Sequence, residues 1–357
     1  MKLYHLSDLH LGVESPFLGR AGHQRMVMRK LREVISRARE EDVKFVVLAG
    51  DIFDSNALSS SLVLEFLELL SEAKDVNFIL LPGGGNAHRE EVSGHDAYTE
   101  NSLYRRLEVK SYFDRKDHLF LLTPEDPVAV FREEGMAFYG GFFDYPKTRL
   151  AEGVSYHVAV MHGAFGERPE FKEKSLKDER ALAYDYLALG HYHRFKMLSN
   201  KAAYSGAFIQ FEFLPYRKGA SGYVEVDLSI SPHPQIAYRA FEDAPRFIYF
   251  KVLSDKDLEK LKTLDFEHSY VKITGYLEDF RDDLEEIKNR YPDRIRIDEA
   301  AEIKREALIF VEALEKILEK KVPEELREEV KEVLLYGLKI SSRKSDFERF
   351  LRDKYGL

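Results

Sequence analysis

The sequence predicts a layered α/β fold, and three patterns carry that expectation. Short apolar runs of strand length recur through the first 240 residues, helical spacings separate them, and polar turns bearing Asp or His follow several directly. The first run, Lys2 to Leu6, ends at a polar turn. From His23 to Glu41 the apolar residues Val27, Leu31, Val34, Ile35 and Ala38 return at three and four, which marks one helix face. Val43 to Ala49 (VKFVVLA) is a nearly continuous apolar run, as a strand buried on both sides requires, and polar GDIFD follows it. Ser60 to Ala73 reads as helix and Val76 to Leu81 as strand. Later strands are expected at Met136 to Phe142, Tyr156 to Met161, Tyr186 to Leu189 and Tyr223 to Leu228, the last two in a mixed or second sheet.

Near Phe241 to Pro245 (FEDAP) the pattern changes. Strand (Phe247 to Val252), helix (Asp255 to Leu264), strand (Ser269 to Leu277), helix (Asp279 to Tyr291) and strand (Arg294 to Asp298) make a compact βαβαβ unit. From Ile303 onward two helices are separated at Val322-Pro323. Proline tolerates the first turn of a helix and not its interior, so Pro323 opens the second. Leu308, Val311, Leu314, Ile317 and Leu318 form one apolar stripe on the helix before it. The expected division is therefore 1–242, 246–300 and 303–357.

The bulk properties narrow the chemistry. With 357 residues, 44% hydrophobic and 13% aromatic, the chain can bury a sizeable core in one large domain and a smaller one. Charged residues reach 33%, which fits a solvated, heat-tolerant surface. The formal net charge of −9 argues against a simple nucleic-acid-coating protein, which needs a Lys/Arg excess. Bound divalent cations would still draw a phosphodiester into one cleft. Cysteine is absent, which excludes disulfides, thiolate catalysis and Cys-based zinc or iron–sulfur sites. The start, MKLYHLSDLH, has no leader pattern, and no stretch reaches the roughly 18 apolar residues of a membrane span. A soluble cytoplasmic protein is expected.

Four short motifs carry the chemistry. Asp8-Leu9-His10 ends the first strand, and in extended chain residues two apart point the same way, so both can reach one ion. Alone, the pair is common and fits a surface loop better. Gly50-Asp51-Ile52-Phe53-Asp54 follows the most apolar strand, where α/β sheets place their sites. Taken alone, Asp51 could also begin a turn or cap a helix. Met161-His162-Gly163 ends the run VAVMHG, and Gly190-His191-Tyr192-His193 follows LALG. Imidazole is the commonest metal-ligand side chain. Together the four predict Asp and His donors delivered to one edge of the same sheet. Oxygen and nitrogen donors without sulfur suit Mn²⁺, Fe²⁺ or Zn²⁺. Two cations need a shared ligand, and Asp51, central in the array, is the expected bridge.

In order and approximate spacing, DLH, GDIFD, MHG and GHYH resemble the signature of the calcineurin-like metallophosphoesterase superfamily over about residues 1–240. A catalytic core followed by a small βαβαβ cap and terminal helices is similar to the SbcD family, the Mre-eleven nucleases of double-strand-break repair. The segment YSGAFIQFEFLPYRKGASGYVEVDL (Tyr204 to Leu228) resembles the stretch those enzymes carry after GHxH. The fold so implied is a layered α/β/β/α metallophosphoesterase sandwich with a βαβαβ cap domain and C-terminal helices.

The resemblance implies that Asp8, His10 and His193 hold one metal with Asp51, while His162 and His191 hold a second with Asp51. Mn²⁺ is the expected metal, with Fe or Zn as alternatives. The family also uses an Asn-His pair in a GNH[D/E] motif, and here the chain departs. It reads Pro82-Gly83-Gly84-Gly85-Asn86-Ala87-His88-Arg89-Glu90, with Ala87 inserted, and then Ser93-Gly94-His95-Asp96. One added residue turns a side chain to the opposite face of an extended loop, unless nearby glycines absorb it. Asn86 is taken as a ligand of the second metal. His88 and His95 both stand as the catalytic acid. Asp54 either orients a ligand or a bound water, or caps the next helix.

The activity implied is a Mn²⁺-dependent DNA nuclease, exo- or endonucleolytic. Arg20, His23, Arg25, Arg29 and Lys30, close behind DLHLG, and Arg217 and Lys218 are the expected phosphate contacts, or else a solvated face. The Leu308 to Leu318 stripe docks an SMC-like ATPase (SbcC type), packs within the chain, or forms a homodimer. Two other readings stand beside the nuclease. One is a phosphodiesterase or phosphatase for a small phosphorylated metabolite. The other is a metal-binding scaffold, should the Ala87 insertion break the acid loop.

Overall fold

Phe45, Val47 and Ala49 leave the second strand on one side, Val46 and Leu48 on the other, and both sets are fully buried. That is why the run is apolar throughout. The protein is seen here as a computed structural model describing residues 1–83, 95–142, 144–166, 174–213, 220–230, 232–275 and 277–302. The helices expected from Ile303 onward, with Pro323 and the Leu308 to Leu318 stripe, lie outside the described residues.

In chain order the elements begin with β1 (Lys2–Leu6), α1 (Gly19–Glu40), β2 (Phe45–Ala49), α2 (Ser60–Ser71) and β3 (Asn77–Leu81). A 3-10 turn (Leu103–Arg105), α3 (Leu107–Arg115), β4 (Leu119–Leu121), β5 (Val128–Phe131) and β6 (Met136–Phe142) follow. Next come β7 (Tyr156–His162), α4 (Glu179–Leu182), β8 (Tyr186–Gly190), β9 (Lys196–Ser199) and β10 (Ala202–Tyr204). The order closes with β11 (Gly222–Asp227), β12 (Gln235–Ala240), β13 (Arg246–Val252), α5 (Asp255–Lys262), β14 (Ser269–Gly275), α6 (Arg281–Arg290) and β15 (Ile295–Glu302).

Two six-stranded mixed sheets organise the larger unit, in the orders β12-β11-β1-β2-β3-β4 and β5-β6-β7-β8-β10-β9. Strands β1 to β4 run parallel, as do β6, β7, β8 and β10, while β5, β9, β11 and β12 are antiparallel to their neighbours. The predicted α1 stripe (Val27, Leu31, Val34, Ile35, Ala38) is buried with Val46 and Leu48 on the outer face of the first sheet. Between the sheets, Phe45, Val47 and Ala49 belong to one cluster with Phe138, Val158, Val160 and Ala188. Full burial of one such large side chain stabilises by about 1.5–3 kcal/mol, so this layer fixes the two sheets face to face. The outer layer on the second sheet has little helix among the described residues. Tyr145, Phe165 and Tyr184 cover Ala159, Met161 and Leu189 there, with only the short α4 beside them.

The described chain falls into two compact units. The larger runs from Met1 to Phe247 with His268–Tyr270, and the smaller holds Ile248–Glu267 and the residues from Val271. The smaller unit has the βαβαβ order, with Leu258, Leu261, Leu284 and Ile287 of its two helices buried together with Val271, Ile273 and Ile295 of its strands. Ser254 starts α5 by accepting the Asp257 amide at 3.3 Å, an N-cap. No helix of the described residues is long and apolar enough to cross a membrane.

Candidate metal centre

Parallel pairing brings the motifs together in pairs. Past the ends of β1 and β2 the two chains stay bonded: Asp8 N–H donates to the Gly50 carbonyl, and His10 N–H to that of Asp51, both at 3.0 Å. His162 closes β7, and His191 and His193 follow β8, its neighbour. The four strand ends therefore do not share one sheet, as the motifs suggested. Two belong to each sheet, and the motif pairs face one another because the sheets pack with these ends together. Two bonds tie the facing ends. His162 Nδ1 lies 2.8 Å from the Ala49 carbonyl, and the His191 amide donates to both Asp8 oxygens at 3.1 and 3.2 Å.

The side chains converge by a different route from the one extended alternation predicts. Asp8 (φ 51°), His10 (φ 44°), Asp51 (φ 48°) and His191 (φ 112°) all have positive φ, and among the described non-glycine residues only Asp42 joins them. Such conformations cost of order 1–3 kcal/mol each and gather where a site needs them. Asp8 and His10 thus reach one point from left-handed backbone.

The imidazole hydrogen bonds set which nitrogen faces inward. His10 Nδ1 lies 3.3 Å from Asp54 Oδ1, His162 Nδ1 is held by the Ala49 carbonyl, and His193 Nδ1 lies 2.7 Å from Glu212 Oε1. Each oxygen can only accept, so each Nδ1 carries the proton and Nε2 is turned to the centre. There His10 Nε2 and His193 Nε2 stand 3.1 Å apart. Asp51 Oδ2 lies 3.3 Å from His162 Nε2, out of hydrogen-bonding alignment, and 3.7 Å from both His10 Nε2 and His95 Nε2. Asp51 Oδ1 and His162 Nε2 are buried with no hydrogen-bond partner.

Charge follows this geometry. Burial opposes a charge on Asp51, but His162, His10 and His95 together hold its carboxyl well below the usual carboxylate range. Burial likewise disfavours a charged His162, and Asp51 outweighs it, raising the ring to about 10. On the other side burial lowers His193, and Glu212 and Asp8 together more than offset it. Burial, then the adjacent His162, lowers His191 to about 4.

Three donor groups have ligand atoms within 4.8 Å of one another: Asp8, His10 and His193; Asp8, Asp51 and His162; and His10, Asp54 and His95. Lone pairs that face each other, a buried carboxylate oxygen without a donor, and O/N ligands without sulfur fit divalent cations. Residues 1–195 match the family model for calcineurin-like phosphoesterase. The chain belongs to this family. It is a metal-dependent phosphoesterase by that membership, with His/Asp groups suited to hold the metal.

Among curated proteins it is similar to the DNA double-strand break repair protein Mre11 of Methanopyrus kandleri, 24% identical over 213 residues, 54% of this chain. The match spans 44% of that relative's length. Similar solved structures include TT1561 of Thermus thermophilus, at 10% identity and TM-score 0.41, covering 66% of this chain and 98% of the other. A dimetal phosphatase from Danio rerio gives 14% identity and TM-score 0.41, covering 67% and 96%.

The remaining expected residues of this phosphoesterase are placed as follows. His95 stands at the centre with its ring 4.5 Å from that of His10, its Nδ1 3.1 Å from the Asp54 carbonyl. Asp54 holds His10 and does not serve as a helix N-cap, since Ser59 precedes α2. The His191 ring lies beside that of His162 at 5.6 Å and in none of the three donor groups. Asn86, Ala87, His88, Arg217 and Lys218 lie outside the described residues. Arg20 and Arg25 are exposed on α1, Arg20 near Glu14 at 3.6 Å. Arg29 pairs with Asp243 at 3.1 Å. His23 and Lys30 are corrected. Both are buried, His23 in a T-shaped contact with Phe211 and Lys30 bonded to Glu33 and Asp243, so neither can reach a phosphate. Glu212 and Ser7 are not marked by the sequence, and Asp96 enters it only as the end of Ser93-Gly94-His95-Asp96, without a role. Ser7 Oγ donates to Asp8 Oδ2, and no spacing rule marks Glu212 or Ser7.

Proposed function

We propose that this phosphoesterase cleaves phosphodiesters with two divalent cations, most suitably Mn²⁺, and that DNA is its substrate. Asp8, His10 and His193 would hold one cation and His162 and His191 the other, with Asp51 shared and Asn86 added from its loop. The observation that carries the reading is that two donor groups meet at Asp8 while Asp51 lies between them, its Oδ2 3.3 Å from His162 Nε2 and 3.7 Å from His10 Nε2 and its Oδ1 without a partner. Bound there, the cations would supply Lewis acidity toward the phosphoryl oxygens and would acidify a water.

The chain's own residues do the rest. The Asp54, Ala49 and Glu212 oxygens keep three imidazoles turned inward. His95 is the proposed acid. Its Nδ1–H is engaged by the Asp54 carbonyl, which leaves Nε2 facing the centre to pass a proton to the leaving oxygen. The Mre11 likeness and the βαβαβ unit that follows the core support a DNA substrate, and an SMC-like ATPase partner or a homodimer belongs to the same proposal.

A second reading, hydrolysis of a small phosphorylated metabolite, is favoured by one observation. Arg20 and Arg29, near the DLH motif, lie beside acids in a chain of net charge −9. Assays on one preparation separate the two. With Mn²⁺, bis-p-nitrophenyl phosphate and linear duplex DNA should both be cleaved. Turnover of the chromogenic ester with DNA left intact would overturn the nuclease reading and keep the hydrolase.

A further inference from the structure

Asp96 is fully buried, and its carboxylate accepts four hydrogen bonds. Ile52 N–H and Phe53 N–H donate to Oδ2 at 3.2 Å each, Tyr104 O–H donates to Oδ2 at 2.6 Å, and Gly83 N–H donates to Oδ1 at 2.7 Å. The donors are not scattered. Ile52 and Phe53 are the two residues after Asp51, and Gly83 is the second residue past β3, the next strand of the sheet. Oδ2 accepts three of the four bonds, and Asp96 is in none of the donor groups.

We propose that Asp96 is a positioning residue for the two-cation centre: it gathers the amides of Ile52, Phe53 and Gly83 and so aims the Asp51 carboxylate inward. Asp51 needs such a hold because its backbone has φ 48° and its Oδ1 has no partner of its own. Successive amides turned onto one anion form a nest, which fixes the turn that follows Asp51. Gly83 completes the seat by close approach, for a Cβ there would stand 2.1 Å from Asp51 Oδ1 and 2.5 Å from Asp96 Oδ1. Further bonds lace the same segments together: Asn56 Nδ2 donates to the Ala97 carbonyl at 2.8 Å, and the Leu103 amide to Asn56 Oδ1 at 2.9 Å.

The proposal rests on the two-cation reading, and the test separates them. Mn²⁺ affinity is measured by calorimetry on the whole chain, beside circular dichroism and thermal melting, for wild type, Asp96→Asn and Tyr104→Phe. Asparagine cannot accept all four donors, so the folded Asp96→Asn protein should bind Mn²⁺ about 10–100-fold more weakly. Tyr104→Phe keeps the three amide bonds and should weaken binding about threefold. A merely structural Asp96 would lower the melting temperature and leave the affinity of the folded protein unchanged, which overturns the proposal. Should Asp96→Asn fail to fold, wild-type affinity in Tyr104→Phe overturns it equally. A wild-type chain that binds no Mn²⁺ would sink the two-cation reading itself, and this proposal with it.

Discussion

Asp51→Asn should reduce cation-dependent hydrolysis of bis-p-nitrophenyl phosphate by at least about a hundred- to a thousandfold while the protein stays folded. The size follows from what Asp51 touches. Its carboxylate faces His162, His10 and His95 within 3.7 Å and supplies the shared ligand of the proposed centre. The amide has the same shape and loses the charge that both cations would use. The backbone gives no reason to unfold, because Asn tolerates the left-handed φ of 48° as readily as Asp. Turnover against Mn²⁺ concentration, measured alongside a thermal melt, checks both halves. Normal turnover in a folded variant contradicts the bridging role.

Gly190→Ala should damage stability and cation binding together. An added Cβ would stand 1.9 Å from the Ala49 carbonyl oxygen, 2.8 Å from His162 Nδ1 and 2.9 Å from Ser7 Cβ. The first neighbour is backbone, so nothing flexible can yield. That same carbonyl accepts from His162, and Gly190 immediately precedes His191, whose amide binds Asp8. The methyl would wedge β8 from β2 where the two sheets meet, and overpacking of this kind costs about 1–3 kcal/mol. Denaturant unfolding should show the loss, and Mn²⁺ binding at low temperature should fall as well, since two of the proposed ligands move with the wedge. A variant with wild-type stability and affinity would mean that the sheet ends are less tightly seated than described.

Much of this was legible in the residues. The FVVLA run announces a strand buried on both faces, and the three-and-four spacing of Val27 to Ala38 announces the α1 face that packs on it. Asp or His directly after apolar runs marks all four strand ends. Which sheet each strand joins was not legible, because a parallel strand buried on both sides reads the same in either. The short edge strands β4, β5, β9 and β12 were missed or left unassigned for a related reason. β9 and β12 offer neither an apolar run nor a clean alternation, and the apolar β4 (LFL) and β5 (VAVF) are only three and four residues long. The left-handed φ of Asp8 and His10 was also hidden, since Asp-x-His looks the same in extended chain. Glu212 is a single acid that matters through a partner 19 residues away, and Asp96 through partners 8, 13 and 43–44 residues away. His88 and His95 are equal by spacing; the His95 ring stands beside His10, and His88 lies outside the described residues.

The most direct test of a binuclear centre is calorimetric titration of the metal-free chain with Mn²⁺ at neutral pH, in two buffers of different ionisation heat. Against the effect of burial, Asp51 raises His162 to about 10, so that ring holds a proton at neutral pH and must release it to bind a cation. The account predicts two Mn²⁺ per chain, proton release on binding, affinity that weakens as pH is lowered, and loss of this behaviour in Asp51→Asn. No tight binding, or binding of a single ion that releases no proton and ignores the Asp51 substitution, would contradict it.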